Sequence, residues 1–491
     1  MKSIRRPLFM LFFYCLPLLL VRGQGDLQQE FDAYVRRERH QFDQTVRQMN
    51  KEFALYLGQE WKQFDTSTRQ AFRKDPDDPV RKPQENAIPP LPVQPEEAVI
   101  RFSPAPCSEK QDSSGQGTGK KARPESPSEN LKEFSFYERT VSFSFRPAYR
   151  IRLEGANETA VANAWNRAAD VDYTPLLETL QTYQTQLHLN DWGFMQLVRR
   201  SVETLYGEEK GNQIVFLTTY LLNQLGKSAR LGRVDGRLVL LLEMKEIIYA
   251  LPQLTSNGRT FTLFSDQPLP ARLQLYTYSK SFPRAIRPLS LQIPVFPVLG
   301  KTLRVRNLPN RWRDTILRVE ANQAWVDFLA TVPQTDFRVY LESAASPQLE
   351  NLIQTLQSYL TGSEEKEAVS LLLDLVQNAF AYQSDARQFG REKVFFPDEM
   401  LFYPYNDCED RAIFFCRLVS RLLHLKVALV TYPNHIAAAV CFRTPIEAAT
   451  AYQAGKDIYT LCDPTYINAG IGECMPQFIG KKPTLIKQTY Y

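Results

Sequence analysis

Residues 404 to 465 constrain the fold of this chain more than any other stretch. Cys408 follows Asn406 and Asp407, and the run from Glu409 to Leu423 sets Ile413, Phe414, Leu418, Leu422 and Leu423 at helical spacing. Val427 to Tyr432 reads as a strand, Pro433 and Asn434 as a turn, and His435 to Phe442 as a second strand with Ala437 and Ala439 on the face of His435. After a loop or short helix rich in alanine, Asp457 to Asp463 reads as a third strand, stopped by Pro464. A helix packed on an antiparallel sheet of this kind brings the start of the helix beside neighbouring strands.

That geometry suits cysteine chemistry. At a helix N-terminus the exposed N–H groups and the helix dipole favour a thiolate at Cys408. His435 would take the thiol proton and later protonate the leaving group, while Asp463 would fix the imidazole tautomer and stabilise the imidazolium. The chain has four histidines, His40, His188, His424 and His435, and only His435 stands among these blocks. Cys416 lies eight residues further along the helix and reads as core. Cys462 points to the opposite strand face from Asp463 and reads as packing, and Glu409 and Asp410 read as first-turn acids that favour the helix start. No spacing of His and Cys suggests zinc, and no glycine-rich phosphate loop is present, so neither metal nor cofactor is expected.

The blocks Asn406-Asp407-Cys408-Glu409-Asp410, Asn434-His435-Ile436 and Leu461-Cys462-Asp463-Pro464-Thr465 resemble those of the transglutaminase-like family, over residues 365 to 475. Asn406 stands where family members often carry glycine, and Ala437 where they often carry an aromatic residue. The resemblance implies a papain-like or transglutaminase-like domain at 346–491, a catalytic triad of Cys408, His435 and Asp463, and an acyl-enzyme formed on an amide.

A second, worn copy is read over residues 175 to 266, inside an α+β region at 133–266. Matching Leu225 and Gly226 to Leu423 and His424 gives an offset of 198, which sets Lys210 against Cys408 and Arg237 against His435, while Phe261, Thr262 and Leu263 echo Tyr459, Thr460 and Leu461. No nucleophile or base survives there. The competing view is that any helix followed by two strands looks alike.

Upstream, Phe31, Phe42, Phe53 and Phe64 recur every eleven residues, with Val35, Val46 and Leu57 four positions after the first three. Eleven residues make three turns at about 3.67 per turn, so a straight apolar stripe runs along one helix from Leu27 to about Arg73. Packing on the chain's own core and assembly through residues 27–73 are the two uses weighed for that stripe. Residues 75–132 are rich in proline and then polar, and read as linker, with Cys107 idle at its edge. Residues 267–345 read as a β-rich connector, including strands at 272–278, 289–295 and 337–341. Helices are expected at 157–169, 176–187, 194–205, 214–225, 346–360, with Ser346 as cap, and 365–382. The whole chain is α+β.

Residues 1–23 carry Lys2, Arg5 and Arg6 before an apolar run from Leu8 to Val21, and read as a secretory signal that makes the protein periplasmic or secreted. Removing its four basic residues lowers the formal charge from +5 to +1, which asks for neither nucleic acid nor an anionic membrane; any membrane association is expected to be peripheral. With Cys408 free, Cys416, Cys441, Cys462 and Cys474 could pair in three ways or stay as buried thiols. Two functions remain in view. One is a thiol acyltransferase on a peptide or protein amide, with hydrolysis favoured over cross-linking; the other is a non-catalytic peptide-binding or scaffold protein with a vestigial triad.

Overall fold

The computed structural model describes residues 24–70, 80–82, 131–207, 211–311, 314–447 and 450–488. The expected signal segment, most of the linker with Cys107, and Lys210 lie outside them.

The architecture is α+β. In the C-terminal half the helix Cys408–Leu423 packs on a five-stranded antiparallel sheet, ordered in space Ala451–Ala454, Asp457–Cys462, His435–Cys441, Lys426–Tyr432, Thr484–Lys487. Strand alternation sorts the sheet into two buried faces. Val427, Leu429, Ile436, Ala438 and Val440 meet the helices, while Ala428, Val430, Tyr432, Ala437 and Ala439 meet Tyr466, Met475 and Phe478 from the segment that follows Asp463. The expected alanine-rich loop is in part the edge strand Ala451–Ala454. Its partner Asp457–Cys462 covers its inner side.

The upstream half repeats this plan. Helix Gly211–Gln224 leads into strands Ala229–Val234, Arg237–Glu243, Pro252–Ser256 and Arg259–Phe264, joined in the same spatial order. The pairs Val234↔Arg237, Leu240↔Phe264 and Gln253↔Thr262 become, on adding 198, Tyr432↔His435, Ala438↔Cys462 and Ala451↔Thr460, and each of these is an observed pair. Both helices also end in a left-handed residue at matching positions, Gly226 and His424. A chance similarity between helix–strand–strand segments would not carry three ladder registers with it, because a slip of one residue inverts every side chain.

The N-terminal helix is shorter than its periodicity predicts, running Gln24–Leu57 and not to Arg73. Its stripe is divided: Phe31 is 61% and Phe42 53% exposed, whereas Phe53 is 6% and Leu57 0% exposed. Phe53 packs edge-on against Trp165, Tyr278 and Phe282, and buried Asn50 accepts hydrogen bonds from Trp165 Nε1 and Gln224 Nε2. Beyond Gly58 the chain turns to add Lys62–Phe64 to one edge of the upstream sheet and Ser67–Thr68 to the other. Phe64, the fourth member of the repeat, is therefore on a strand, because unpaired sheet edges offer backbone partners that continued helix would forgo.

Three further expectations need correction. Residues 337–341 form a helix, not a strand: Asp336 caps it by accepting from Arg338 N, and Val339, Tyr340 and Leu341 are buried consecutively, not alternately. Residues 289–295 form a single bridge, Leu289 to Met244, since Pro288 and Pro294 lack the donors a ladder needs. The segment 267–345 is therefore mixed, with a hairpin of Leu303–Asn310 and Thr315–Asn322 and the helix Gln323–Leu329. Within the expected linker, Val80–Lys82 is docked: Lys82 N donates to Ile467 O and Ile467 N to Val80 O, and Lys82 pairs with Glu473 at 2.7 Å.

The divided stripe predicts unequal substitutions. In urea unfolding, Phe53→Ala is expected to cost about 3 to 5 kcal/mol, and Phe42→Ala less than about 0.5 kcal/mol. Equal losses would mean that the first turns of the helix are covered in solution.

Candidate active site

A two-residue turn makes Tyr432 and His435 the closing pair of their hairpin, which directs the Ile436 N–H towards the neighbouring strand. That strand pairs only as far as Ala438↔Cys462, two residues short of Ile436. The vacated position is filled by Cys408, whose Sγ accepts from Ile436 N at 3.3 Å. The same Sγ donates to Glu409 Oε2 at 3.3 Å. Cys408 is the first residue of its helix, as expected, and the thiol reaches the sheet at its end.

His435 and Asp463 come together on the face that points away from the helix. His435 Nε2 meets Asp463 Oδ2 at 2.8 Å, and Asp463 Oδ1 accepts from Thr465 N at 2.9 Å and Tyr466 N at 3.2 Å. With Nε2 taken by the carboxylate, Nδ1 is the ring nitrogen that proton exchange with a thiol would use. Gln377, from the helix Glu365–Ala379, donates to the carbonyls of Asp463, Tyr466 and Ala469 and accepts from Asn468 N, pinning the loop that orients Asp463. Phe478 stacks on the imidazole at 5.2 Å and 6° and also on Tyr432 at 4.5 Å. Cys408, His435 and Asp463 are 0%, 1% and 2% exposed, and Phe478, from the segment 464–482, roofs the imidazole.

Glu409 and Asp410 are first-turn acids of the helix, as expected, and both are buried. Asp410 accepts from Asp407 N and Phe395 N, Asp407 accepts from Asp385 N, Asp385 accepts from Lys393 N, and Lys393 Nζ pairs with buried Glu399. Arg411, also buried, donates to Asn406 Oδ1 and to the carbonyls of Gln377 and Phe380. Burial, with the repulsion of Asp410, holds the Asp385 carboxyl far above its ordinary range, and burial raises Asp410 as well. The carboxylates of Asp385, Asp407 and Asp410, and those of Asp385, Glu392 and Glu409, lie within 4.8 Å of one another and are the groups among the described residues spaced to hold a cation. Protonation, Lys393 and Arg411 relieve the same repulsion without one.

Sequence alone missed Asp385, Lys393, Glu399, Gln377 and Phe478. Gln377 leaves a trace, as a polar residue amid Leu373, Val376 and Ala379 on the buried side of an amphipathic helix. Cys408, Cys416, Cys441, Cys462 and Cys474 are all free thiols, so of the alternatives for the clustered cysteines the unpaired one holds. Burial pushes Cys416 and Cys462 well above the ordinary thiol range and Cys441 and Cys474 up to a lesser degree. No helix among the described residues is long and apolar enough to cross a membrane.

The buried acids predict a pH dependence. A carboxyl that titrates higher folded than its unfolded value of about 3.9 contributes stability in full below about pH 4, and loses it as pH rises towards the folded value. The thermal midpoint is therefore expected to fall between about pH 5 and pH 9, and Asp385→Asn to flatten that fall. An unchanged slope in Asp385→Asn would remove Asp385 from the account. Searches of protein-family models, of curated proteins and of solved structures find nothing similar to this chain.

Proposed function

We propose that this chain is an exported transglutaminase-like thiol acyltransferase that opens peptide or other amide bonds through an acyl-enzyme, with hydrolysis favoured over cross-linking. The observation that carries this reading is the contact of His435 Nε2 with Asp463 at 2.8 Å beside a helix-opening thiol held at the N–H of the next residue, Ile436. The charged run at the start of the chain supports export. The 198-residue repeat supports a degenerate transglutaminase-like unit upstream, with Arg237 in the place of His435.

The chemistry follows from the roles. His435 Nδ1 takes the thiol proton, and the thiolate attacks the amide carbonyl while N–H groups of the helix's first turn face the developing oxyanion. The C–N bond breaks as the amine leaves with the proton from the imidazolium, leaving a thioester on Cys408. Water, giving a proton to His435, attacks that thioester, and carboxylic acid and thiol are released. Asp463 keeps Nε2 protonated throughout and stabilises the imidazolium. An amine in place of water would give cross-linking by the same steps.

The sealed site favours a second reading, a peptide-binding scaffold with a vestigial triad, because a sulfur with 0% exposure cannot meet a substrate until the groups that cover it move. Thiol labelling separates the two. In the enzymatic reading iodoacetamide near pH 7 modifies Cys408 ahead of the partly exposed Cys441 and Cys474, Phe478→Ala speeds that modification, and His435→Ala slows it at least about tenfold. Cys408 reacting no faster than Cys441 and Cys474, even in Phe478→Ala, would leave the scaffold.

A further inference from the structure

The upstream unit keeps its own site as an open cavity. A space of about 300 Å³ is bounded by the start of helix Gly211–Gln224, the hairpin at Val234 and Arg237, and the end of strand Arg259–Phe264 with Ser265 and Asp266. Under the 198-residue shift these are the places of the catalytic helix start, of Tyr432 and His435, and of Asp463. Even the link from helix to sheet is repeated in kind: Leu238 N, matching Ile436 N, donates to Asn212 Oδ1 at 2.9 Å, two positions along the helix from where the thiol stands in the other unit.

One difference explains why this cavity is open. Gly232 pairs with Thr277, whereas its match Val430 pairs with Leu485, ten positions further along. Those extra residues belong to the stretch that supplies Met475 and Phe478 over the triad. Among the described residues the upstream unit has no such roof.

The walls state what the cavity would accept. Arg237 is exposed in its mouth, and its guanidinium makes no hydrogen bond or ion pair among the described residues. Arg199 pairs with Glu203 and Asp266, and Arg200 with Glu203, so guanidiniums line the cavity beside Arg237. An adjoining space of about 520 Å³ shares Arg199, Ser265 and Asp266 and continues along Trp192, Met195, Leu240 and Phe264. The order is a cation at the mouth and aromatic and aliphatic walls beyond it. A group with a carboxylate next to an apolar side chain fits that order, and a guanidinium matches a carboxylate in a bidentate fork.

We propose that this cavity binds the free C-terminus of a peptide, with the carboxylate on Arg237 and an apolar terminal side chain against Trp192 and Phe264. The site needs no thiol chemistry, so it stands or falls apart from the acyltransferase reading. Should that reading hold, peptide acids are also what hydrolysis at Cys408 releases.

The test uses the full chain carrying Cys408→Ala, so that nothing is turned over, with acetyl-Ala-Ala-Ala-Leu as the free acid and as the C-terminal amide, both titrated by calorimetry. The acid is expected to bind at least about tenfold more tightly than the amide, the worth of one charge-assisted contact. Arg237→Ala should remove that difference without weakening the amide, and Arg237→Lys should restore part of it. Equal binding of acid and amide, an unchanged acid affinity in Arg237→Ala, or no binding of the acid at millimolar concentration would overturn the proposal. So would binding abolished by Asp463→Ala but not by Arg237→Ala, since the peptide would then sit at the triad.

Discussion

A hairpin whose neighbour stops early leaves a backbone N–H facing a gap, and a buried N–H must find an acceptor. Both halves of this chain solve that problem with a side chain from the first turn of a packed helix, Cys408 at Ile436 in one and Asn212 at Leu238 in the other. The acceptor fixes where the helix begins relative to the sheet. Because His435 is the residue before Ile436, the same contact also fixes how close the thiol lies to the imidazole strand. The placing of Cys408 beside the His435 strand thus depends on a feature of sheet termination that operates equally in the upstream unit.

Around this point the C-terminal unit accumulates buried charge. Asp385, Asp407, Glu409, Asp410, Glu399, Lys393 and Arg411 surround one helix terminus, and the acids accept from backbone N–H groups, from Lys393 and, at Glu409, from the Cys408 thiol. Buried carboxylates are costly unless paired or protonated, so such a network is an expensive way to hold a helix start that a simple cap would secure. What it adds is rigidity: the loop 383–396, strand Tyr405–Asn406 and the helix are tied into one body. The roof of Met475 and Phe478 then excludes water from the imidazole. Exclusion strengthens the His435–Asp463 interaction.

The N-terminal helix couples the two halves to the rest of the chain differently along its length. Its last two turns enter the upstream core through Phe53 and Leu57, and the chain that follows clasps both edges of the upstream sheet. Its earlier turns keep the same apolar period with little to cover them. Residues further on, Val80–Lys82, reach the loop that carries Asp463 and pair with Ile467. One end of the molecule therefore touches both units.

Local pattern determined much of this protein. Helix and strand periods set Cys408 at a helix start and His435 at a strand start, Pro464 ended the strand before Asp463, and the 198-residue offset survived in the ladder registers, because these are facts of spacing along the chain. Tertiary structure alone decided the rest. The eleven-residue period continued to Phe64, yet the sheet edge captured that residue; the alternating pattern at 337–341 yielded to a capped helical turn that buries Val339, Tyr340 and Leu341; Glu409 and Asp410 open the helix as first-turn acids, but only packing made them interior. Burial, the roof over His435 and the open cavity upstream arise from which segment covers which. Periodicity gives a residue its face, but only the packed chain says what lies on that face.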